Sequence, residues 1–171
     1  STLLTSLMGS TQGNTAAGRI APGEKRTIVI VGASYAGRNI IEQLITIDPL
    51  LKQLEIIWID KMAIFECIPN NYESFVDANE YDKNVANIED FVKFYGLSNI
   101  SFVQGLLKEV KAAENTVVIT QPDQSDKEIS YNTLVIATGA YKSGAWRPED
   151  EAAPSKGERK QVWEGEYEKR Q

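Results

Sequence analysis

The chain has 171 residues, of which 42% are hydrophobic and 25% are charged, proportions that are ordinary for a globular domain. Its net charge of -6 disfavours an electrostatic interaction with nucleic acid, and no apolar run approaches the ~20 residues that a membrane-spanning helix requires. With one cysteine and no histidine, the sequence excludes an internal disulfide, Ser-His and Cys-His catalysis, and most zinc sites. Any redox chemistry must therefore come from a cofactor.

The N-terminal segment, residues 1–24, is predicted to be a flexible leader. Its first 23 residues are rich in Ser, Thr, Gly and Ala and include one basic residue and no acid. This composition fits the end of a transit peptide, which favours a mitochondrion or another organelle over the cytoplasm, and it fits a plain disordered terminus equally well. A start at Met8 with an acylated Gly9 is disfavoured, because Gly13 stands where that motif has Ser or Thr.

Residues 27–60 are predicted to form a strand–helix–strand unit. The run TIVIV at 27–31 has no polar face, as expected for a strand buried on both sides of a parallel sheet. The apolar residues that follow have helical spacing, and Pro49 closes the helix region. The run LEIIWID at 54–60 predicts a second buried strand, so the unit has βαβ form.

The remaining predictions alternate between strands and helices. Residues 61–84 are interpreted mainly as loop, and residues 84–97 as a helix capped by Gly96. The later predictions are a strand at 100–103, a β-hairpin of 106–110 and 116–120 turning at Glu114-Asn115, and a buried strand at 131–137. Residues 142–171 are predicted to be a charged tail, in which a capping box at Ser155–Glu158 begins a short solvent-exposed helix that adds nothing to a core.

The loop GASYAG, residues 32–37, joins the first strand to the first helix. At Gly32 a tight turn is needed and a Cβ would clash, whereas Gly37 lets the helix and the strand pack closely. The loop amides lie at the start of a helix, where they can bind an anion. Ser34 replaces the central glycine of the dinucleotide-binding pattern, and its hydroxyl can donate to a phosphate oxygen. The loop therefore predicts a diphosphate site.

Asp60 supports that prediction. It ends the second strand, 23 residues after Gly37, at the place where an acid accepts both hydroxyls of an adenosine ribose. The alternative interpretation is that Asp60 is a simple turn residue at the end of a strand. The loop, the βαβ context and the acid together favour nucleotide binding.

The loop 32–37, Asp60 and the segment YNTLVIATG at 131–139 follow one another in the chain. This trio resembles the FAD domain of the two-dinucleotide-binding flavoproteins, the FAD- and NAD(P)-dependent pyridine nucleotide oxidoreductases. The runs VIVGASYAG, WIDKMAIFECIP and LVIATGA are most similar to the apoptosis-inducing-factor-like (ferroptosis-suppressor) group, with type II NADH dehydrogenases as close relatives. The resemblance covers about residues 27–141. It implies an α/β, Rossmann-like FAD-binding domain at 25–141, with a parallel sheet and a small β-hairpin or meander.

The resemblance also implies roles for individual residues. The amides of Ser34, Tyr35 and Ala36 would cradle the FAD pyrophosphate, and Asp60 would hold the adenosine ribose. The other implied contacts are Lys61 and Leu107 at the adenine, Ala137, Thr138 and Gly139 beside the pyrophosphate, and Phe65 and Pro69 along the flavin. Cys67 is interpreted as a partly buried structural cysteine, and a thiol that forms a sulfenate is the alternative.

In the resembled family the chain continues after the ATG segment with a second βαβ unit that binds NAD(P)H. The sequence ends about where that unit would begin, so we expect an incomplete two-dinucleotide-binding flavoprotein that does not oxidise NADH alone. NAD(P)H and a quinone-like acceptor would then be partners of a longer protein only. One alternative is a shortened accessory subunit of a larger complex, held through the charged tail, with FAD vestigial or absent. A free-standing NAD-binding module is the other, and the ATG strand disfavours it.

Overall fold

The computed structural model describes residues 25–74, 76–140 and 156–169. Within these ranges the chain forms a four-stranded sheet, a three-stranded sheet and a two-stranded ribbon. The predicted leader at 1–24 lies outside the described residues, as does the first part of the predicted tail, up to residue 155. Among the described residues, none of the helices is long and apolar enough to cross a membrane.

The strands and helices have the following bounds. The strands are β1 Arg26–Val31, β2 Leu54–Asp60, β3 Ile64–Glu66, β4 Val85–Asn87, β5 Ile100–Gln104, β6 Leu106–Lys111, β7 Thr116–Thr120, β8 Asp126–Ser130 and β9 Thr133–Ile136. The α-helices are α1 Tyr35–Ile47, α2 Asn71–Ser74, α3 Ile88–Tyr95 and α4 Lys156–Glu168, and short 3-10 helices cover Ile68–Asn70, Ala78–Lys83 and Ala112–Glu114.

The four-stranded sheet is parallel and has the order β5-β2-β1-β9. Val31 at the end of β1 pairs with Ile59 of β2 on one side and with Ile136 of β9 on the other. The carboxyl ends of the three strands therefore lie side by side. The chain runs from β1 through α1 to β2 on one side, whereas β9 pairs with β1 on the other side. The carboxyl ends of β1, β2 and β9 therefore lie at the topological switch point, where α/β proteins bind ligands.

The parallel sheet is the middle of three layers. Alternate side chains of β1 and β2 point to opposite faces, which explains why residues 28–31 and 56–59 are apolar without a break. One face packs against α1 and α3, and its buried residues include Ile30, Ile56, Trp58, Ile41 and Ile88. The other face packs against the antiparallel sheet β6-β7-β8, and its buried residues include Val29, Val31, Ile59, Val117 and Ile119. This arrangement confirms the predicted Rossmann-like α/β class with a parallel sheet and a small meander.

The meander contains one strand more than the predicted hairpin. β6 pairs with β7 as predicted, and Asn115 takes the left-handed conformation in the turn, with φ of +50°. β8 then pairs with β7 on its other edge. Only Ile129 of β8 is buried, so the sequence of this strand carries almost no apolar signal.

The prediction of a loop at 61–84 and a helix from residue 84 is partly wrong. β3 and β4 form an antiparallel ribbon in which Ile64 pairs with Asn87, so α3 begins only at Ile88. Val85 is buried in a small cluster with Ile64 and Tyr81, and this burial favours the strand over an earlier helix start. The predicted end of the helix is confirmed, because Gly96 takes the left-handed conformation with φ of +65°.

The prediction that the C-terminal helix is exposed and adds nothing to a core is wrong. Trp163 of α4 is fully buried and packs with Ile64 and Tyr81. Arg159, also on α4, is 1% exposed, and its Nε donates to Glu66 Oε1 at 2.7 Å. These two long side chains anchor a helix whose other residues are mostly polar, which is why its apolar periodicity was too weak to predict packing. Ser155, the predicted cap, lies outside the described residues.

Candidate nucleotide-binding site

The loop between β1 and α1 has a backbone that only glycine can adopt at its first position. Gly32 has a φ of +112°, and a Cβ built on it would lie 2.3 Å from the carbonyl oxygen of Ala137. The Gly32 N–H donates to the Ile59 carbonyl at 2.7 Å, which continues the β1–β2 hydrogen bonding into the loop. The loop is therefore held against the ends of β2 and β9, as a tight turn at this point requires.

Gly37 closes the other end of the loop. A Cβ on Gly37 would lie 1.9 Å from the Gly32 carbonyl oxygen, so the first turn of α1 folds directly onto the start of the loop. This confirms the predicted close approach of helix and strand. A larger residue at position 37 would push α1 away from the sheet.

The first turn of α1 presents backbone N–H groups at this edge of the sheet. The N–H of Arg38 donates to the Ser34 carbonyl at 3.0 Å, so the preceding amides at Tyr35, Ala36 and Gly37 have no acceptor within the helix. Ser34 is the N-cap, and among the described residues its side chain makes no capping hydrogen bond. The hydroxyl and the amides of this turn are placed to bind an anion.

Asp60, the last residue of β2, holds the loop with its side chain. Its Oδ2 accepts a hydrogen bond from the Ala33 N–H at 2.6 Å, and its Oδ1 accepts one from the Met62 N–H at 2.8 Å. A carboxylate has about four lone-pair sites, so roughly two remain for a ligand. Asp60 is thus more than a simple turn residue, because it ties together the ends of β1 and β2.

A cavity of about 290 Å³ lies at the carboxyl ends of the parallel strands. It reaches from the glycine loop across Asp60 to the corner between β5 and β6 and to the end of β9. The predicted site residues that line it are Gly32, Ser34, Asp60, Lys61, Leu107, Ala137 and Thr138. The fold therefore brings together four parts of the sequence that were predicted to form one site.

The other predicted site residues do not line this cavity. Tyr35 and Ala36 are exposed on the first turn of α1, and Gly37 is buried behind that turn. Gly139 follows β9 in an exposed position, where its φ of +71° puts it in the left-handed region. These residues flank the cavity, and a ligand larger than the cavity would extend toward them.

Four cavity residues were not among the predicted site residues: Val31, Gly105, Leu106 and Ile136. Gly105 connects β5 to β6, and its N–H donates to the Asp60 carbonyl at 2.9 Å. Leu106 and Ile136 are apolar yet 56% and 59% exposed, so they form an apolar rim. The prediction of a buried strand at 131–137 is therefore wrong on burial, because β9 is an edge strand of the four-stranded sheet and none of its residues is buried. A glycine that directly follows a predicted strand could have indicated Gly105 as part of the site. The exposure of Leu106 and Ile136 depends on tertiary structure, so the sequence carries no signal for it.

Beside the first turn of α1 lies a second group, formed by Tyr35, Phe65 and Cys67. The Tyr35 hydroxyl lies 3.1 Å from the Cys67 Sγ, and the Tyr35 ring meets Phe65 edge-on with centroids 5.1 Å apart. Desolvation, the hydrogen bond to Cys67 and the electrostatic effect of Cys67 raise the pKa of Tyr35 to about 12. Cys67 is half-buried, which confirms the prediction of a partly buried cysteine, and Pro69 is exposed in the adjoining 3-10 turn.

Searches of protein-family models and of curated proteins found no match to this chain. Solved structures do match. A type II NADH dehydrogenase from Plasmodium falciparum, solved with NADH, superposes with a TM-score of 0.60 at 19% identity over 70% of this chain and 23% of its own. The sulfide:quinone oxidoreductase of Aquifex aeolicus superposes with a TM-score of 0.61 at 20% identity, covering 84% of this chain and 32% of its own.

An NAD-dependent persulfide reductase from A. fulgidus has a TM-score of 0.55 at 19% identity and covers 81% of this chain. The chain spans between 23% and 32% of the length of these three proteins. All three are FAD- and NAD(P)-dependent pyridine nucleotide oxidoreductases. The chain therefore shares a Rossmann-like fold with part of each of these oxidoreductases.

Proposed function

We propose that this chain is the FAD-binding part of an NAD(P)H-dependent flavoprotein oxidoreductase, of the quinone-reductase or apoptosis-inducing-factor-like kind. One observation carries the proposal: the glycine loop, Asp60 and the end of β9 line a single cavity. In doubly wound α/β proteins this edge of the sheet is where nucleotides bind. The similar fold of the solved oxidoreductases supports the same assignment.

The residues present fit the adenosine diphosphate half of FAD. The glycines let the loop lie close to the end of β9 and to α1, since a Cβ on Gly32 would meet the Ala137 carbonyl and one on Gly37 the Gly32 carbonyl. The amides of Ser34, Tyr35 and Ala36 would bind the pyrophosphate at the start of α1. Asp60 would accept the ribose hydroxyls with its remaining lone pairs.

The adenine would lie at the far end of the cavity, beside Lys61 and Leu107, which line it there. Leu106 adds apolar surface at the same end, and Ile136 does so at the end of β9. Such a mixture of apolar walls and a few polar groups is typical of a small-molecule site. Ala137, Thr138 and Gly139 would run beside the pyrophosphate, because β9 ends next to the loop.

Bound FAD would supply the redox chemistry, passing electrons from NAD(P)H to an acceptor. The residues of this chain would hold and orient the cofactor. We assign the flavin half to the surface beside α1 that is formed by Tyr35 and Cys67, with Pro69 next to it and the buried Phe65 beneath Tyr35. For the whole protein we propose a quinone-like acceptor, in line with the activity named for the Aquifex neighbour.

The accessory-subunit alternative relied on a charged tail that awaits a partner. In the structure α4 packs on the chain itself, through the buried side chains of Arg159 and Trp163. That use of the tail removes the observation that favoured the alternative. We retain the flavoprotein as the proposed function.

Reconstitution with FAD tests the proposal. The purified chain is incubated with FAD and desalted, and its visible absorbance is compared with that of a Gly37→Ala variant treated alike. We expect a flavin spectrum on the wild-type chain and almost none on the variant. A wild-type chain that stays colourless after reconstitution would contradict the proposal.

We further propose an organellar location, which rests only on the composition of residues 1–24. The test is fluorescence microscopy of the chain with a C-terminal tag, compared with the same chain lacking residues 1–24. Organellar signal that becomes diffuse on removal of the segment would support the proposal. An identical distribution of both forms would contradict it.

A further inference from the structure

Two side chains of β2 hold one peptide group of the glycine loop from opposite ends. The indole Nε1–H of Trp58 donates to the Gly32 carbonyl at 3.0 Å. The carboxylate of Asp60 accepts from the next N–H, that of Ala33, at 2.6 Å. These carbonyl and N–H groups belong to the same peptide bond, between Gly32 and Ala33.

The spacing of Trp58 and Asp60 on β2 allows both side chains to bind the same peptide group. Residues 58 and 60 are two apart on a strand, so their side chains leave β2 on the same face. Trp58 is fully buried and reaches from that face beneath the loop. Its indole is long enough to place a donor at the loop, which an aliphatic residue of β2 could not do.

The oxygen that Trp58 binds is also the atom on which α1 packs. A Cβ on Gly37 would lie 1.9 Å from the Gly32 oxygen and 3.0 Å from the Trp58 Nε1. The indole N–H, the Gly32 carbonyl and the backbone of Gly37 therefore meet in one closely packed place. A rotation of the Gly32–Ala33 peptide would break the bond to Trp58 and remove the carbonyl from this packing.

A peptide group is planar, so fixing its carbonyl and its N–H fixes the orientation of the whole unit. The chain enters Ser34 and the first turn of α1 directly after this peptide. Its orientation therefore sets the direction in which the amides of Ser34, Tyr35 and Ala36 point. Those amides are the groups assigned to the pyrophosphate.

We propose that Trp58 is a positioning residue of the nucleotide site: by holding the Gly32 carbonyl while Asp60 holds the Ala33 N–H, it aims the loop amides at the diphosphate. The inference rests on the proposed function of the site. Trp58 itself does not line the cavity. It acts through the peptide that it binds.

The test compares Trp58→Phe with Ile56→Val. Trp58→Phe removes the indole donor and keeps an aromatic ring, whereas Ile56→Val loses one methylene at a fully buried position on the same face of β2. The dissociation constants of FAD and ADP are measured for both variants and for the wild type, and urea unfolding measures how much each variant is destabilised. Adenosine is used as a competitor that has no phosphate.

We expect Trp58→Phe to weaken FAD and ADP binding about fivefold to tenfold, the effect of one lost hydrogen bond, with adenosine competition changed less than about twofold. Ile56→Val should leave all three affinities near the wild-type values. If Trp58→Phe binds both FAD and ADP as tightly as the wild type does, this inference alone is overturned. A wild-type chain that binds neither FAD nor ADP would overturn the proposed function as well.

A measurement on the wild-type chain serves if Trp58→Phe does not fold. The indole N–H resonance of Trp58 is followed by 15N NMR during additions of ADP and of adenosine. We expect the resonance to shift with ADP and to stay nearly unchanged with adenosine, because only ADP has phosphates that would bind the loop amides. A resonance that ADP saturation leaves in place would overturn the inference.

Discussion

The Asp60 carboxylate accepts a hydrogen bond from the backbone N–H of Ala33 at 2.6 Å, between residues that are 27 apart in the sequence. The last residue of β2 is therefore coupled to the loop that follows β1. One side chain contributes to the shape of the loop and also offers free lone pairs to a ligand. Substitutions of Asp60 should consequently affect both stability and binding.

Asp60→Ala should weaken FAD binding about tenfold to a hundredfold, since hydrogen bonds to a charged group contribute about 1.5–3 kcal/mol each. Asp48→Ala is the matched control, because the Asp48 carboxylate also accepts two backbone N–H groups, from Leu50 and Lys52, at the opposite end of α1 from the loop. The control should lower the free energy of unfolding without changing FAD affinity. Equal losses of affinity in both variants would show that Asp60 acts only through stability.

Gly37→Ala should abolish detectable FAD binding and destabilise the chain, since the new methyl group would lie 1.9 Å from the Gly32 oxygen. Gly96→Ala is the control: Gly96 has a φ of +65°, but nothing lies within 4 Å of a Cβ built there. We expect the control to cost about 1 kcal/mol of stability and to leave binding intact. FAD titration and urea unfolding separate the two effects, and normal FAD affinity in Gly37→Ala would refute the close packing.

Arg159→Met should lower the free energy of unfolding by about 3–5 kcal/mol, because it leaves the buried Glu66 carboxylate without the guanidinium. Glu66 also accepts a hydrogen bond from the Tyr81 hydroxyl at 2.9 Å, so the loss disturbs the packing of α4 on the ribbon. Lys160→Met, on the same helix, breaks a solvent-exposed ion pair with Asp82 and should cost less than about 1 kcal/mol. Similar costs for the two variants, measured by urea unfolding, would contradict the buried anchoring of α4.

Tyr35 should ionise only near its raised pKa of about 12, whereas its ordinary value is 10.0. Because the pKa is raised in the folded chain, the stability that neutral Tyr35 contributes is complete below pH 10.0 and is lost as the pH rises through about 12. Desolvation is the largest cause and Cys67 the next, so Cys67→Ala should move the pKa part of the way back. The measurement is the difference in phenolate absorbance between each chain and its Tyr35→Phe counterpart, and an unchanged pKa in Cys67→Ala would refute the role of the thiol.

The βαβ unit could be predicted from sequence because its signals are local. The unit consists of an unbroken apolar run, an amphipathic helical pattern and a second apolar run that ends in Asp60. Each of these patterns can be recognised within a window of about 15 residues. The loop glycines and the positive φ at Gly96 follow from local backbone geometry in the same way. For these elements sequence and structure agree to within one or two residues, apart from the start of α1.

The features that could not be predicted depend on contacts between distant residues. β3 and β4 are three residues each and are stable only because they pair and cover Tyr81. The docking of α4 depends on the Arg159–Glu66 ion pair, which joins residues 93 apart. The bond from Trp58 to Gly32 likewise has no signature in the sequence, because any apolar residue would satisfy the pattern of β2.

Chemical-shift mapping with ADP is the sharpest test of the nucleotide site, since it reports both whether the nucleotide binds and where. A 15N-labelled chain is titrated with ADP, and the backbone N–H resonances are followed to saturation. We expect saturable shifts that concentrate at residues 32–37, at Asp60 and Lys61, at Leu107, and at Ala137 and Thr138. Two results would contradict the proposed site. One is the absence of shifts at an ADP concentration that saturates a protein known to bind ADP, and the other is shifts confined to other surfaces.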